Sequence, residues 1–237
     1  MRSLLFVPAD SQKKLDKGLG SGADALIVDL EDSIVPDRKA AARGAAAEFV
    51  KAAVARAQRP RILVRINGLT TGLADADLDA VIPAQPDAIM LPKAEGGPSI
   101  IHLDAKLAVR EALSGLPDGH VKIVALVTET AQSLFVAGTY RGSSNRLTGL
   151  TWGAEDLSAD LGAEANRGAD GRFLEPYRFA RIICLTAASA AGVQAIDTLS
   201  VDFRNEAALR GECEEARRDG FTGKLAIHPA QVPIINE

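Results

Sequence analysis

Cysteine is scarce: the 237-residue chain has two, Cys184 and Cys213. With no CxxC spacing they support neither a metal knuckle nor a redox pair, and they are too few for a disulfide scaffold. Cys184 sits in the apolar run Ile182-Ile183-Cys184-Leu185 and reads as a buried thiol. There are only three histidines and no His pair. Positive charge is not in excess: 27 Lys and Arg face 31 Asp and Glu, for a net charge of −4. That balance gives no support to general nucleic-acid binding, although it leaves room for a local basic patch facing a phosphorylated ligand. No apolar run is long enough to span a bilayer. The apolar start at residues 1–8 is too short for a secretory h-region and is followed by Pro8 and Asp10. These absences lead us to expect one domain, 1–237, in a reducing cytoplasm, with no membrane and no nucleic-acid partner.

What the sequence does have is rhythm. Short apolar runs rich in Val, Ile and Leu fall at 3–8, 23–31, 61–67, 88–93, 122–129, 146–153, 194–201 and 224–229. Between them lie Ala-rich amphipathic stretches, read as helices at 11–19, 37–57, 74–81, 99–113, 131–140, 176–191 and 206–219. A polar, Gly-rich insertion at 155–171 separates the sixth run from its helix. Runs that are apolar on both faces read as parallel strands covered on both sides. Eight such units with intervening helices predict a single-domain α/β fold, a (β/α)₈ TIM barrel. A doubly wound open sheet is the alternative, since periodicity does not show closure. No GxGxxG follows the first run, which weakens a dinucleotide reading. Residues 230–237 allow only about two helical turns after the eighth strand. The eighth helix is therefore expected to be truncated.

Barrel enzymes gather functional residues at the C-terminal ends of their strands. Here those ends hold Pro8; Asp29, Glu31 and Asp32; Arg65 and Asn67; Lys93; Glu129; Glu155 and Asp156; Asp197 and Asp202; and His228. Seven of eight ends carry an ionisable group, an expensive pattern unless it is used, because unpaired buried charge is costly. Hard carboxylate oxygens suit Mg²⁺, and Glu129 and Asp156 follow neighbouring strands. They read equally well as helix caps or ion-pair partners. Arg65, inside an apolar strand, needs either a barrel carboxylate or a substrate carboxylate. Lys13, Lys14 and Lys17 are either a solvated helix face or a phosphate contact. His228 is either a base or a structural donor. His102 and His120 lie away from the strand ends.

Taken together, these stretches resemble a known family. They are Arg2 to Pro8, Gly22-Ala23-Asp24 through Asp29-Leu30-Glu31-Asp32, Val64-Arg65-Ile66-Asn67, Leu91-Pro92-Lys93 and Glu129-Thr130-Ala131. Further on come Gly153-Ala154-Glu155-Asp156-Leu157, Ala195-Ile196-Asp197, Asp202-Phe203, and Gly223-Lys224 through Ile227-His228-Pro229. In this order they resemble the HpcH/HpaI aldolase and citrate lyase β-subunit superfamily, in its citrate lyase-like branch.

The resemblance implies a Mg²⁺-dependent carbon–carbon lyase acting on a 3-hydroxyacyl-CoA thioester of the malyl, citramalyl or citryl type. Glu129 and Asp156 would be the metal ligands, with Glu31 and Asp32 near the metal through water. Arg65 would hold the keto-acid carboxylate. Lys13 and Lys17 would meet the CoA nucleotide, and Ile227 and His228 the thioester ligand. It further implies a homotrimer or hexamer, and a catalytic Asp from a C-terminal lid that this sequence does not contain. Alternatives are a subunit acting on a carrier-protein thioester, a non-catalytic CoA-binding subunit, a free keto-acid aldolase and an acyl-CoA thioesterase.

Overall fold

The computed structural model describes all residues, 1–237. Eight strands close in sequence order into a parallel barrel. They are β1 (Ser3–Pro8), β2 (Ala25–Asp29), β3 (Arg61–Arg65), β4 (Ala88–Leu91), β5 (Lys122–Leu126), β6 (Leu147–Thr151), β7 (Gln194–Asp197) and β8 (Gly223–Ala226). Closure is direct: Leu4 of β1 is in register with Ala25 of β2 on one side and Leu225 of β8 on the other. The open-sheet alternative falls.

The helices are α1 (Gln12–Leu19), α2 (Lys39–Val54), α3 (Ala74–Val81), α4 (Gly97–Leu113), α5 (Ala131–Val136), α6 (Glu155–Leu161), α7 (Glu175–Ala191), α8 (Glu206–Asp219) and α9 (Gln231–Asn236). Two of these, α3 and α8, have the bounds expected from the sequence. The polar, Gly-rich insertion at 155–171 begins with α6, whose first turn carries Glu155 and Asp156. After β8 the chain forms only the short α9.

Alternation along each strand splits the apolar residues into two layers. Leu4, Ile27, Leu63, Met90, Val124, Ile196 and Leu225 fill the barrel interior. Their neighbours Leu5, Val28, Val64, Ile89, Ala125 and Ala226 face the helices in the larger core. The same parity decides which polar residues reach the mouth. Asp29 lies two residues beyond Ile27, and Arg65 two beyond Leu63, so both share the inward face. Asp197 follows inward-facing Ile196 and turns outward instead.

The β4–α4 turn is held from outside. Tyr140 donates from its hydroxyl to the Ala94 carbonyl (2.9 Å) and accepts from the Gly96 amide (3.0 Å). Gly97 lies so close to Thr139 that a Cβ there would sit 2.3 Å from the Thr139 carbonyl oxygen. This close approach fixes the segment that presents Lys93.

Candidate active site

Five charged side chains form a line across the mouth. Arg65 is the register partner of Asp29 on the adjacent strand. It donates from Nε and Nη2 to Asp29 Oδ1 and Oδ2, at 2.7 and 2.6 Å. Its Nη1 lies 2.8 Å from Glu31 Oε2 and 3.2 Å from Asp32 Oδ2. The other oxygen of Glu31 accepts from Lys93 Nζ (2.7 Å). Lys93 Nζ in turn lies 2.8 Å from Asp156 Oδ2. The order Asp29, Arg65, Glu31, Lys93, Asp156 alternates in sign, and so satisfies charges that burial would otherwise penalise.

Glu129 stands beside this line. Thr130 caps α5 by accepting from the Ser133 amide (3.2 Å), which leaves Glu129 in the preceding turn and free to point inward. The Lys93 backbone amide donates to Glu129 Oε2. Lys93 adopts a left-handed backbone (φ 51°), a conformation uncommon for a residue with a side chain.

The ionisation of these groups follows from burial and neighbours. Burial pushes the Glu129 carboxyl up to about 8; the Lys93 amide opposes the rise, while Glu31 and Asp156 add to it. Burial also raises Glu31, with the Arg65 charge working against it. Burial would raise Asp29 too, but the hydrogen bonds and charge of Arg65 outweigh it and hold the carboxyl below its usual range. Arg65 is held above its usual value: burial works against its charge, but Asp29 overrides it. Lys93 is likewise held up by Asp156 and Glu31 against the effect of burial.

The second βα loop is braced by a residue that the sequence did not single out. Lys39, the first residue of α2, donates from Nζ to the carbonyls of Leu30 and Glu31 (both 3.0 Å) and to Asn67 Oδ1 (2.7 Å). Asn67 is fixed in turn by buried Asp77. No local pattern marks Lys39, since a lysine opening a helix after a charged loop is ordinary.

Above the charged line opens a cavity of about 660 Å³, bordered by Arg65, Glu129, Asp156, Phe6, Trp152 and His228 among others. The Phe6 ring lies under the Arg65 guanidinium at 4.8 Å. Lys14 and Lys17 line the rim; Lys13 does not. Lys14, Lys17 and Gly18 border the cavity from one face of α1. Of the two lysines expected from the sequence, Lys17 borders the cavity and Lys13 does not, while Lys14 does.

His228 lies in the loop beyond β8. Its ring stacks on Phe203 with centroids 4.4 Å apart, and its Nδ1 accepts from the Ala230 amide (3.2 Å). The amides of Ile227 and His228 both donate to Gln231 Oε1, so they are already satisfied. Asp197 pairs with Trp152 Nε1 (2.7 Å), Arg181 and Lys224 behind the strands, and takes no part in the mouth. Cys184 is fully buried as expected, and burial pushes its thiol up.

Two buried oxygens at the mouth lack a hydrogen bond: Glu31 Oε2 and Asp156 Oδ2. Each lies within ion-pair distance of a cation without being in line for a hydrogen bond. Such under-satisfied hard oxygens, beside Glu129, fit a divalent cation of the Mg²⁺ type. No three of these groups close into a ready-made cage. That accords with an ion held by one or two carboxylates plus water and substrate.

Fold and site together define a barrel of the enzyme type, with paired carboxylates and cations at its mouth. The chain belongs to the HpcH/HpaI aldolase/citrate lyase family, which it matches over residues 2–229. This is an enzyme family of carbon–carbon lyases. A (3S)-malyl-CoA thioesterase of Cereibacter sphaeroides is 37% identical over 99% of this chain and 75% of its own length. The mitochondrial citramalyl-CoA lyase of Rattus norvegicus is 30% identical over 100% of this chain and 70% of its own. A citrate lyase β subunit of M. tuberculosis, solved with oxaloacetate and magnesium, superposes with a TM-score of 0.83. It is 33% identical over 99% of this chain and 94% of that one.

Proposed function

We propose that the chain is a Mg²⁺-dependent lyase that cleaves a 3-hydroxyacyl-CoA thioester into an acyl-CoA and a 2-keto acid. The observation that carries this reading is the convergence of Glu129 and Asp156 beside Arg65 at one barrel mouth. Glu129 and Asp156 would hold the ion, with Glu31 and Asp32 reaching it through water. When bound, the ion supplies Lewis acidity that stabilises negative charge on the substrate oxygen.

The chain's own residues supply orientation and exclusion of water. The Nε–Nη2 edge of Arg65 is committed to Asp29, so an incoming carboxylate is left the Nη1 edge. Glu31 and half-exposed Asp32 lie against that edge now. Phe6 backs the guanidinium and keeps water from its lower face. Lys14 and Lys17 on the rim suit the phosphates of a CoA thioester. The family's trimeric or hexameric assembly and a cytoplasmic location are parts of this reading.

Hydrolysis of the same thioester is a second reading, favoured by the thioesterase name of the relative at 37% identity. The test offers malyl-CoA and citramalyl-CoA to the purified chain, with Mg²⁺ and with EDTA, beside Glu129→Ala. Metal-dependent release of acetyl-CoA and a keto acid supports the lyase. Free CoA and an intact hydroxy acid support the thioesterase. No metal-dependent turnover of either ester rejects both.

A further inference from the structure

Lys93 stands out among the mouth residues. Its left-handed backbone is uncommon for a residue with a side chain, and it persists because both ends of the residue are held. The amide is spent on Glu129 and the ammonium bridges Glu31 and Asp156, at 2.7 and 2.8 Å. Two carboxylates thus share one ammonium, and a third takes the amide of the same residue. That ammonium occupies the space between Glu31 and Asp156, next to Glu129, where a divalent ion would bring its own positive charge.

Lys93 is poorly placed to remain there beside such an ion. Asp156 Oδ2 is buried and accepts no hydrogen bond, so the ammonium is its charge partner without being its settled donor. The Lys93 side chain is 39% exposed, which leaves it room to move off Asp156 while still held by Glu31. An ammonium and a divalent cation on one carboxylate repel each other strongly at contact distance.

We propose that Lys93 is an internal counter-cation that holds the carboxylates together in the metal-free mouth and competes with the metal for Asp156. The proposal rests on the reading of Glu129 and Asp156 as metal ligands. It gives the site a weaker intrinsic grip on the metal than its carboxylates alone would supply. It also keeps the mouth from flying apart by like-charge repulsion when no metal is present.

The experiment measures Mn²⁺ binding to the substrate-free chain by electron paramagnetic resonance at fixed pH and ionic strength. Lys93→Gln should bind Mn²⁺ roughly tenfold more tightly or better, since one opposing charge is gone. Lys93→Arg, which keeps the charge and the same backbone demand, should stay near the parent. Without metal, Lys93→Gln should melt at a lower temperature, and saturating Mn²⁺ should restore it. If Lys93→Gln does not fold, the comparison is made in Glu31→Gln, where one carboxylate fewer relieves the repulsion. Unchanged or weaker Mn²⁺ binding on removing Lys93 overturns the proposal while leaving the metal reading intact. No Mn²⁺ binding by any variant overturns the metal reading, and the role of Lys93 with it.

Discussion

Asp29 closes both carboxylate oxygens on the Nε–Nη2 edge of Arg65, at 2.7 and 2.6 Å, from the register-matched position on the neighbouring strand. The pair is nearly sealed from solvent, and Arg65 has Glu31 and Asp32 as further partners only on its Nη1. Removing one member of a buried ion pair strands the other and costs about 3–5 kcal/mol. Asp29→Asn leaves Glu31 and Asp32 on Arg65 Nη1, so it should lower the urea-unfolding free energy by less than that range but measurably. It should also free the Arg65 plane and reduce kcat/KM for the hydroxyacyl-CoA by roughly ten- to a hundredfold, because misplaced orienting groups are penalised steeply. A variant with wild-type stability and turnover would show that Arg65 needs no orienting partner.

Glu129 predicts a pH dependence with a definite sign. Its carboxyl titrates at about 8 in the folded chain because it is buried among other carboxylates. Unfolded, a glutamate titrates near 4.3. The folded state therefore binds the extra proton, and its stabilising effect is complete below the unfolded value. It is lost as pH rises through the folded one. The metal-free chain should melt at a lower temperature at pH 8.5 than at pH 6, and Glu129→Gln should flatten that slope. A metal must displace the same proton, so Mg²⁺ affinity should rise about tenfold per pH unit from 6 to 8 and then level. Calorimetry in two buffers of different ionisation enthalpy would count the proton released.

The strands and most of the helices were legible from apolar periodicity, because a parallel barrel covers both faces of every strand. What the sequence misjudged was where strands stop. The runs 88–93, 122–129 and 194–201 continue past β4, β5 and β7 into loops that carry the chemistry, since apolar residues there still line the mouth. Parity then separated look-alikes: Asp29 and Asp197 both end strands, but one faces inward to Arg65 and the other outward to Trp152. The Lys93 bridge was out of reach, because it joins residues 62 and 63 positions away and depends on a left-handed turn.

A second buried arginine offers a control that leaves the mouth untouched. Arg146, just before β6, pairs with Asp104, with fully buried Glu111 and with Asp118. It lies at the opposite end of the barrel from Glu129. Arg146→Ala leaves the Glu111 carboxylate without its cation and should cost about 3–5 kcal/mol of stability. Mn²⁺ affinity and kcat of the remaining folded enzyme should match the parent. A shift in metal affinity without loss of stability would mean that the two ends of the barrel are coupled.

The rim lysines separate a face of α1 from a stretch of sequence. Lys14 and Lys17 border the cavity, and Lys13 does not. Each exposed lysine facing a phosphate contributes modestly and is screened by salt. Lys14→Ala and Lys17→Ala should each raise KM for the CoA thioester by about three- to tenfold with kcat little changed, and the effect should shrink at high ionic strength. Lys13→Ala should leave KM where it is. Equal effects from all three would replace the geometric account with one of diffuse attraction, in which the net charge of α1 matters and the direction of each side chain does not.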